Sequence, residues 1–144
     1  MAYNVTAYDC VVCAAMDARC NQVYVALFRV NGGKVERLTE EECLKTDEAA
    51  RMLSEYDDDI MLVGDGAFIM KKATDNEGLE NVKIAPDPLR YQTGYGVCLA
   101  AVNAPQLTPE QLMPMYLKLP QAQRELMAKN AEAYNCLLYT SPSP

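Results

Sequence analysis

The sequence contains no histidine among its 144 residues. Histidine is the side chain that most often transfers protons near neutral pH, so its absence excludes Ser-His-Asp and Cys-His catalysis, histidine-ligated zinc and histidine proton shuttles. Long apolar runs are lacking as well, because stretches such as residues 11–16 have only the length of a strand. We therefore expect a chain with no membrane partner.

Basic residues are in deficit: 13 Lys and Arg stand against 20 Asp and Glu, which gives a formal net charge of −7. An acidic surface repels phosphate backbones, so direct, high-affinity nucleic-acid binding by this chain alone is disfavoured. Half of the residues are hydrophobic, and the length supports one domain with a buried core.

Six cysteines are present, and the N-terminus carries no basic start or apolar run typical of a secretory signal. We expect a cytoplasmic chain with free thiols. Cys10 and Cys13 form a CxxC pattern, but the valines between them predict a strand, on which positions i and i+3 point to opposite faces. We interpret the cysteines as small core residues. The alternative is zinc held by Cys10, Cys13, Cys20 and Cys43, whose spacings are irregular.

Hydrophobic periodicity predicts strands first and then alternating helices and strands. Thr46 is the expected N-cap of the first helix, and Asn31-Gly32-Gly33 is the expected hairpin turn between strands two and three. The predicted strands are 9–16, 22–30, 34–42, 60–63 and 82–85. Four helices are predicted. The first carries Ala49, Met52, Leu53 and Tyr56 on one face, and the second spans 67–73. The third carries Tyr95, Cys98, Leu99 and Val102 on one face, and the fourth spans 121–133.

This order, βββαβαβα followed by a C-terminal helix, predicts an α/β fold. Three antiparallel strands followed by two strands joined through helices form a mixed sheet with right-handed crossovers. The arrangement is that of a single ribonuclease H-like domain. Because the sequence shows no internal repeat, we expect one such unit, half of an actin-like or sugar-kinase-like two-lobe fold.

Two chemical interpretations, phosphate binding and nuclease activity, find little support in the sequence. Gly64-Asp65-Gly66 opens a helix, where anions can bind, but no GxxxxGK[ST] or GxGxxG pattern occurs and Asp65 would repel phosphate. We interpret these glycines as a tight turn. Nucleases of this fold need carboxylates that hold two metals. Residues 10–16 of the first strand include no acid, and Asp17 lies just past its end, so nuclease activity is not expected.

Three segments resemble the TsaB (YeaZ) family. Residues 16–24 are similar to its MDAR-x-x-x-VY stretch, residues 63–67 to a VGDGA segment, and residues 116–122 to its terminal YLR element. The resemblance covers roughly residues 9–133, in order and at family-like spacing. The matching positions are Asp17, Arg19, Val23, Tyr24, Gly64, Asp65, Gly66, Tyr116, Leu117 and Lys118.

The resemblance implies a non-catalytic partner of the TsaD enzyme, acting with TsaE. Their complex uses ATP to make threonylcarbamoyladenosine beside the anticodon of tRNA. Such proteins are labelled glycoprotease-like or M22 peptidase-like by homology only. It follows that no cofactor is expected on this chain alone, and a homodimer is a further assembly that the resemblance allows. We expect the Asp17–Arg19 turn to be a positioning element rather than a catalytic pair or an RNA contact.

The sequence departs from the family pattern in three places. Cys20 replaces a common second arginine. Lys118 replaces the arginine of YLR, so the planar guanidinium and its paired hydrogen-bond donors are lost. The N-terminal domain with its GPGSFTG-type segment is not present, so we expect a C-terminal part only.

We divide the chain into an N-terminal extension (1–8), the TsaB-like domain (9–133) and a disordered or artefactual tail (134–144). Residues 136–144 of that tail resemble translated sequencing adapter. The alternative function is half of an ATP-binding kinase or hydrolase of the actin-like superfamily. A ribonuclease H-like module with a purely structural role is the third reading.

Overall fold

A mixed sheet forms the centre of the fold in the computed structural model, which describes residues 1–102, 104–111, 113–114, 116–117 and 126–127. Its described strands are β1 (Cys10–Asp17), β2 (Gln22–Asn31), β3 (Lys34–Arg37), β4 (Glu42–Lys45), β5 (Ile60–Val63) and β6 (Val82–Ile84). The order across the sheet is β3-β2-β1-β5-β6, with β4 also paired to β2. The first four strands pair antiparallel, whereas β1–β5 and β5–β6 are parallel.

The predicted third strand is two strands, β3 and β4, which both pair with β2. The N–H groups of Leu38 and Thr39 both donate to the carbonyl of Leu27, and the Thr39 hydroxyl accepts the Leu27 N–H at 2.9 Å. These bonds interrupt the ladder between the two strands. The hairpin turn itself contains only Gly32 and Gly33, at φ of 54° and 77°, as a two-residue turn of positive φ requires.

Four described α-helices and one 3₁₀-helix (Ala2–Val5) surround the sheet: α1 (Thr46–Leu53), α2 (Ala67–Asn76), α3 (Asp87–Arg90) and α4 (Gly94–Val102). Thr46 is not the N-cap of α1, as predicted, but its first helical residue. Lys45 takes the cap position, and its N–H donates to the Glu48 carboxylate at 3.2 Å. Helix α2 continues to Asn76, three residues past its predicted end, and α3 was not predicted. No helix in the described part of the chain is long and apolar enough to cross a membrane.

The sheet separates two cores, which we name the first core and the second core. Helices α1 and α2 cover the first, which includes Val11, Leu27 and Leu62. The second includes Val12 and Val63 and is covered by the 3₁₀-helix and α3. Adjacent strand residues thus point into different cores, as the period of two requires.

The segment predicted as an N-terminal extension is packed against the second core. Ala2 and Val5 are buried, and the Asn4 carboxamide donates to the carbonyls of Leu89 and Tyr91 at 3.3 and 2.6 Å. These contacts connect the first residues of the chain to the region around α3. Residues 1–8 are therefore part of the folded unit Met1–Met113.

Helix α4 does not bury the predicted face. Tyr95 is 71% exposed, Val102 is 80% exposed, and Cys98 is exposed, whereas Gly96 is buried. The sequence GYGVCLAAV is apolar all round, so its periodicity cannot select one face. Close approach selects it instead, because a Cβ at Gly96 would lie 2.3 Å from the Asn4 side-chain oxygen.

The chain forms a second compact unit, Pro114–Pro144. Three segments singled out there lie outside the described residues: the family-like stretch 116–122 apart from Tyr116 and Leu117, the helix at 121–133 apart from Leu126 and Met127, and the tail at 134–144.

Candidate functional site

Two loops meet at one edge of the sheet, where the neighbouring parallel strands β1 and β5 end. The Asp65 carboxylate accepts the N–H of Asp17 at 3.1 Å. One residue further on, the N–H of Gly66 donates to the carbonyl of Ala15 at 3.1 Å. Parallel strands place their carboxyl ends together, so this proximity follows from the β1–β5 pairing. Two of the three segments singled out in the sequence thus form one site.

The β1–β2 turn has an uncommon backbone. Arg19, Cys20 and Asn21 have φ of 63°, 53° and 57°. Residues other than glycine adopt such positive φ at a cost of about 1–3 kcal/mol each. The Asp17 carboxylate accepts the Arg19 N–H at 2.7 Å and thereby fixes the start of the turn. The Arg19 guanidinium forms no ion pair within the described part of the chain. Asp17 therefore holds the backbone of Arg19 and leaves its cation facing solvent.

Glycine is required where β5 passes into α2. Gly64 has a φ of 99°, and a Cβ there would lie 2.0 Å from the Ala15 carbonyl oxygen. At Gly66 a Cβ would lie 3.1 Å from the same oxygen and from the Met16 carbonyl carbon. These contacts favour the interpretation of Gly64-Asp65-Gly66 as a tight turn in contact with β1, with the Asp65 side chain exposed.

A buried arginine, missed in the sequence, lies beside this turn. The Arg90 carbonyl accepts the Gly64 N–H at 2.7 Å. Its guanidinium stacks on Phe68 and Tyr91, 4.6 and 4.8 Å from the ring centroids, and pairs with Asp87 at 2.8 Å. The hydrogen bond to the Tyr91 hydroxyl raises the pKa of Arg90. Its Nε is buried without a hydrogen-bond partner among the residues described.

Three large apolar side chains at this edge are partly exposed. Phe68 is 58% exposed, and Met16 and Tyr91 are each 48% exposed. We name Met16, Phe68 and Tyr91 the apolar rim. The buried Arg90 guanidinium stacks on two of these three residues, Phe68 and Tyr91. No local pattern signals this arrangement, because residues 16, 68 and 90–91 come together only through the sheet.

The remaining motif residues play other parts. Val23 is buried in the first core, and Tyr24 is half-buried on β2 opposite Met16. Tyr116 and Leu117 are described, Tyr116 being 86% exposed, whereas Lys118 lies outside the described residues.

The cysteines do not form a metal site in the part of the chain that the structure describes. Cys10 lies in the second core and Cys13 in the first, so the CxxC residues point apart as predicted. Burial raises the pKa of Cys13 to about 12, and burial with Asp59 and Asp9 raises that of Cys10. Cys20 and Cys98 are exposed, so the expectation that all cysteines are core residues is wrong. No described group of three or more Cys, Asp or Glu could hold a metal, zinc included.

The chain is similar in fold to a solved structure. No family model matches the chain, and no curated protein matches it either. A crystal structure described as "an uncharacterized protein with similarity to peptidase YEAZ from Pseudomonas aeruginosa" matches with a TM-score of 0.54 and 19% identity over 81% of this chain. The fold is YeaZ-like. The sheet and helices have the ribonuclease H-like arrangement that the element order predicted, and the chain spans 53% of that solved chain.

Proposed function

We propose that the chain is the C-terminal lobe of a TsaB-like protein, a non-catalytic partner of TsaD in the cytoplasm. With TsaE and ATP, that complex makes threonylcarbamoyladenosine beside the anticodon of tRNA. The observation that carries the proposal is the contact between the Asp65 carboxylate and the Asp17 N–H. It joins two separate family-like segments, residues 16–24 and 63–67, at the carboxyl ends of β1 and β5 in a YeaZ-like fold.

The chemistry of this surface favours positioning over catalysis. Asp17 and Asp65 each accept a backbone N–H. The bond to Asp65 joins the two loops, and the bond to Asp17 holds the start of its own turn. Arg19 presents one cation on a chain of net charge −7, which is too little to bind a phosphate backbone. We infer that contact with tRNA belongs to the partner enzyme, and that this edge of the sheet shapes a protein–protein contact.

Helix α4 supports a two-lobe assembly. A helix that is apolar all round is ordinarily buried, yet Tyr95 and Val102 are largely exposed here. The solved YeaZ-like neighbour is nearly twice as long as the part that this chain covers. We propose that a second lobe covers α4 and the apolar rim, because burying apolar surface is the main driving force of such contacts.

A chimera tests the proposal. The full chain would be fused behind the N-terminal lobe of an established TsaB protein, in place of that protein's own C-terminal lobe. We expect the chimera to support threonylcarbamoyladenosine formation with TsaD, TsaE, ATP and tRNA, measured by mass spectrometry of the digested tRNA. The control is the N-terminal lobe alone, which should give no product above background.

A chimera that is folded and binds TsaD but gives no modified nucleoside would contradict the proposal. ATP hydrolysis by the chimera in the absence of TsaD would instead favour the kinase or hydrolase alternative.

A further inference from the structure

A second candidate site lies apart from the contact between Asp17 and Asp65. It is a cleft of about 300 Å³ between the start of α1 and the second half of α2, bordered by Asn21 from the β1–β2 turn. This volume is at the lower end of the range for small-molecule sites. The carbonyl of Asn21 accepts the Thr46 N–H at 3.1 Å, which joins the turn to the first residue of α1. The turn that borders the cleft is thus held to the α1 wall by a backbone hydrogen bond.

Helix α2 lines the cleft with a regular stripe. Ile69, Lys72, Ala73 and Asn76 follow the i, i+3, i+4, i+7 spacing of one helix face. Ile69 and Ala73 give this wall an apolar strip, and Lys72 and Asn76 flank that strip with a cation and a carboxamide. Glu77 adds a carboxylate at the end of the stripe.

The polar groups of the cleft differ in how far they are already used. Asp47 pairs with Arg51 at 2.9 Å. Burial acts to raise the pKa of Asp47, but backbone N–H groups of Asp47 and Glu48 together with Arg51 outweigh it and lower that pKa. Within the described residues, Lys72 and Glu77 form no ion pair. Lys71, next to Lys72 in sequence, is by contrast paired with Asp75.

The carboxamides of Asn21 and Asn76 likewise make no hydrogen bond to any described residue. The free groups of the cleft are therefore one cation, one anion and two carboxamides, each able to donate and accept. Lys72 lies on α2, and Glu77 directly follows the last residue of that helix, so both charges border the same cleft. A ligand that carries both charges a few bonds apart can contact both side chains, whereas a polyanion would meet Asp47 and Glu77.

We propose that this cleft binds a small zwitterion of the amino-acid type with a short apolar side chain. Lys72 binds the carboxylate, Glu77 binds the ammonium group, and the apolar side chain lies on Ile69 and Ala73. Asn21 and Asn76 complete the hydrogen bonds of the charged ends. The site does not depend on the function proposed above, because none of its free groups belongs to the Asp17–Asp65 contact.

The test is a heteronuclear NMR titration of the full chain with L-valine. We expect saturable shift changes at Asn21, Lys72 and Asn76, including both carboxamides. L-valinamide, which lacks the carboxylate, and 3-methylbutanoate, which lacks the ammonium group, should each bind at least about tenfold more weakly because one charge-assisted hydrogen bond is lost.

Matched variants separate the site from general charge effects. Lys72→Ala should weaken L-valine binding at least about tenfold, whereas Lys71→Ala should leave it within about twofold. Both lysines lie on the surface side of α2, so both variants should fold. The proposal fails if L-valine gives no saturable shifts at Asn21 and Asn76, if L-valinamide binds as tightly as L-valine, or if the two variants have equal effects.

Discussion

The two faces of the sheet are covered in different ways. On the first, α1 and α2 enclose large side chains such as Leu27, Leu53 and Met70, all fully buried. On the second, the 3₁₀-helix and α3 cover smaller ones such as Val12 and Ala85, and α4 beside them stays exposed. The first face thus carries a fully enclosed hydrophobic core. The second carries apolar surface on α4 that remains exposed within the described part of the chain.

Gly64→Ala should have the largest effect, because Gly64 joins the two faces. The Gly64 N–H donates to the Arg90 carbonyl on the second face, and the residues that follow Gly64 lead into α2 on the first face. The added Cβ would meet a backbone oxygen at a positive φ, so we expect a loss of about 3–5 kcal/mol in urea unfolding. Gly78→Ala, at a φ of 75° with open space around it, should cost about 1 kcal/mol. Equal losses would show that the contact with Ala15 is not restrictive.

Val11 and Val12 allow a direct comparison of the two cores. They are adjacent, chemically identical and both fully buried, but Val11 lies in the first core and Val12 in the second. We expect Val11→Ala to lower the free energy of unfolding by about 2–3 kcal/mol and Val12→Ala by about 1–2 kcal/mol, because the smaller core can relax around the cavity. A larger loss for Val12→Ala would reverse the ranking of the two faces.

Cys13 gives the first core a pH dependence. Burial raises the pKa of its thiol from 9.0 to about 12, so the folded state resists deprotonation and the unfolded state does not. This contribution is fully present below pH 9 and is lost as the pH rises toward 12, by about 1.4 kcal/mol per pH unit. Cys13→Ala should remove it, as the difference between the two stability curves at pH 8 to 11 would show. Parallel curves would mean that the thiol is accessible to solvent.

Asp65 should have the smallest effect on stability, because its contact is exposed. Asp65→Ala removes the acceptor of the Asp17 N–H and should cost about 1 kcal/mol. Asp65→Asn keeps an acceptor and should cost less. Asp57→Ala, an exposed acid without a hydrogen bond to any described residue, is the control and should be neutral. If Asp65→Ala is neutral as well, the two loops are held together by the sheet alone.

Most of the fold could be predicted from the sequence because its elements follow local rules. The β-branched run of β2, the buried run of β5 and the helical spacing of α1 are local features, and each element is found within a few residues of its predicted bounds. The division of the third strand was not predictable, because it depends on hydrogen bonds from Leu38 and Thr39 to Leu27, eleven and twelve residues away.

The site was predictable only in part. Asp17 and Gly64-Asp65-Gly66 stood out as motifs, and the parallel pairing of β1 and β5 brings them together. The environment of Arg90 was only partly local, since Asp87 and Tyr91 are near it in sequence but Phe68, on which it also stacks, is 22 residues away. The exposure of α4 was not predictable either, because a helix that is apolar all round is ordinarily expected to be buried.

Thiol labelling of Cys98 tests most directly whether the second face is a docking surface. Cys98 lies on exposed α4, and the half-buried Cys43 on β4 is the reference within the same chain. Labelling of each cysteine would be measured by peptide mass spectrometry in the chain alone and in the two-lobe chimera. We predict that Cys98 is labelled at least about tenfold more slowly in the chimera, with Cys43 unchanged. Equal rates at Cys98 in a folded chimera would contradict the account.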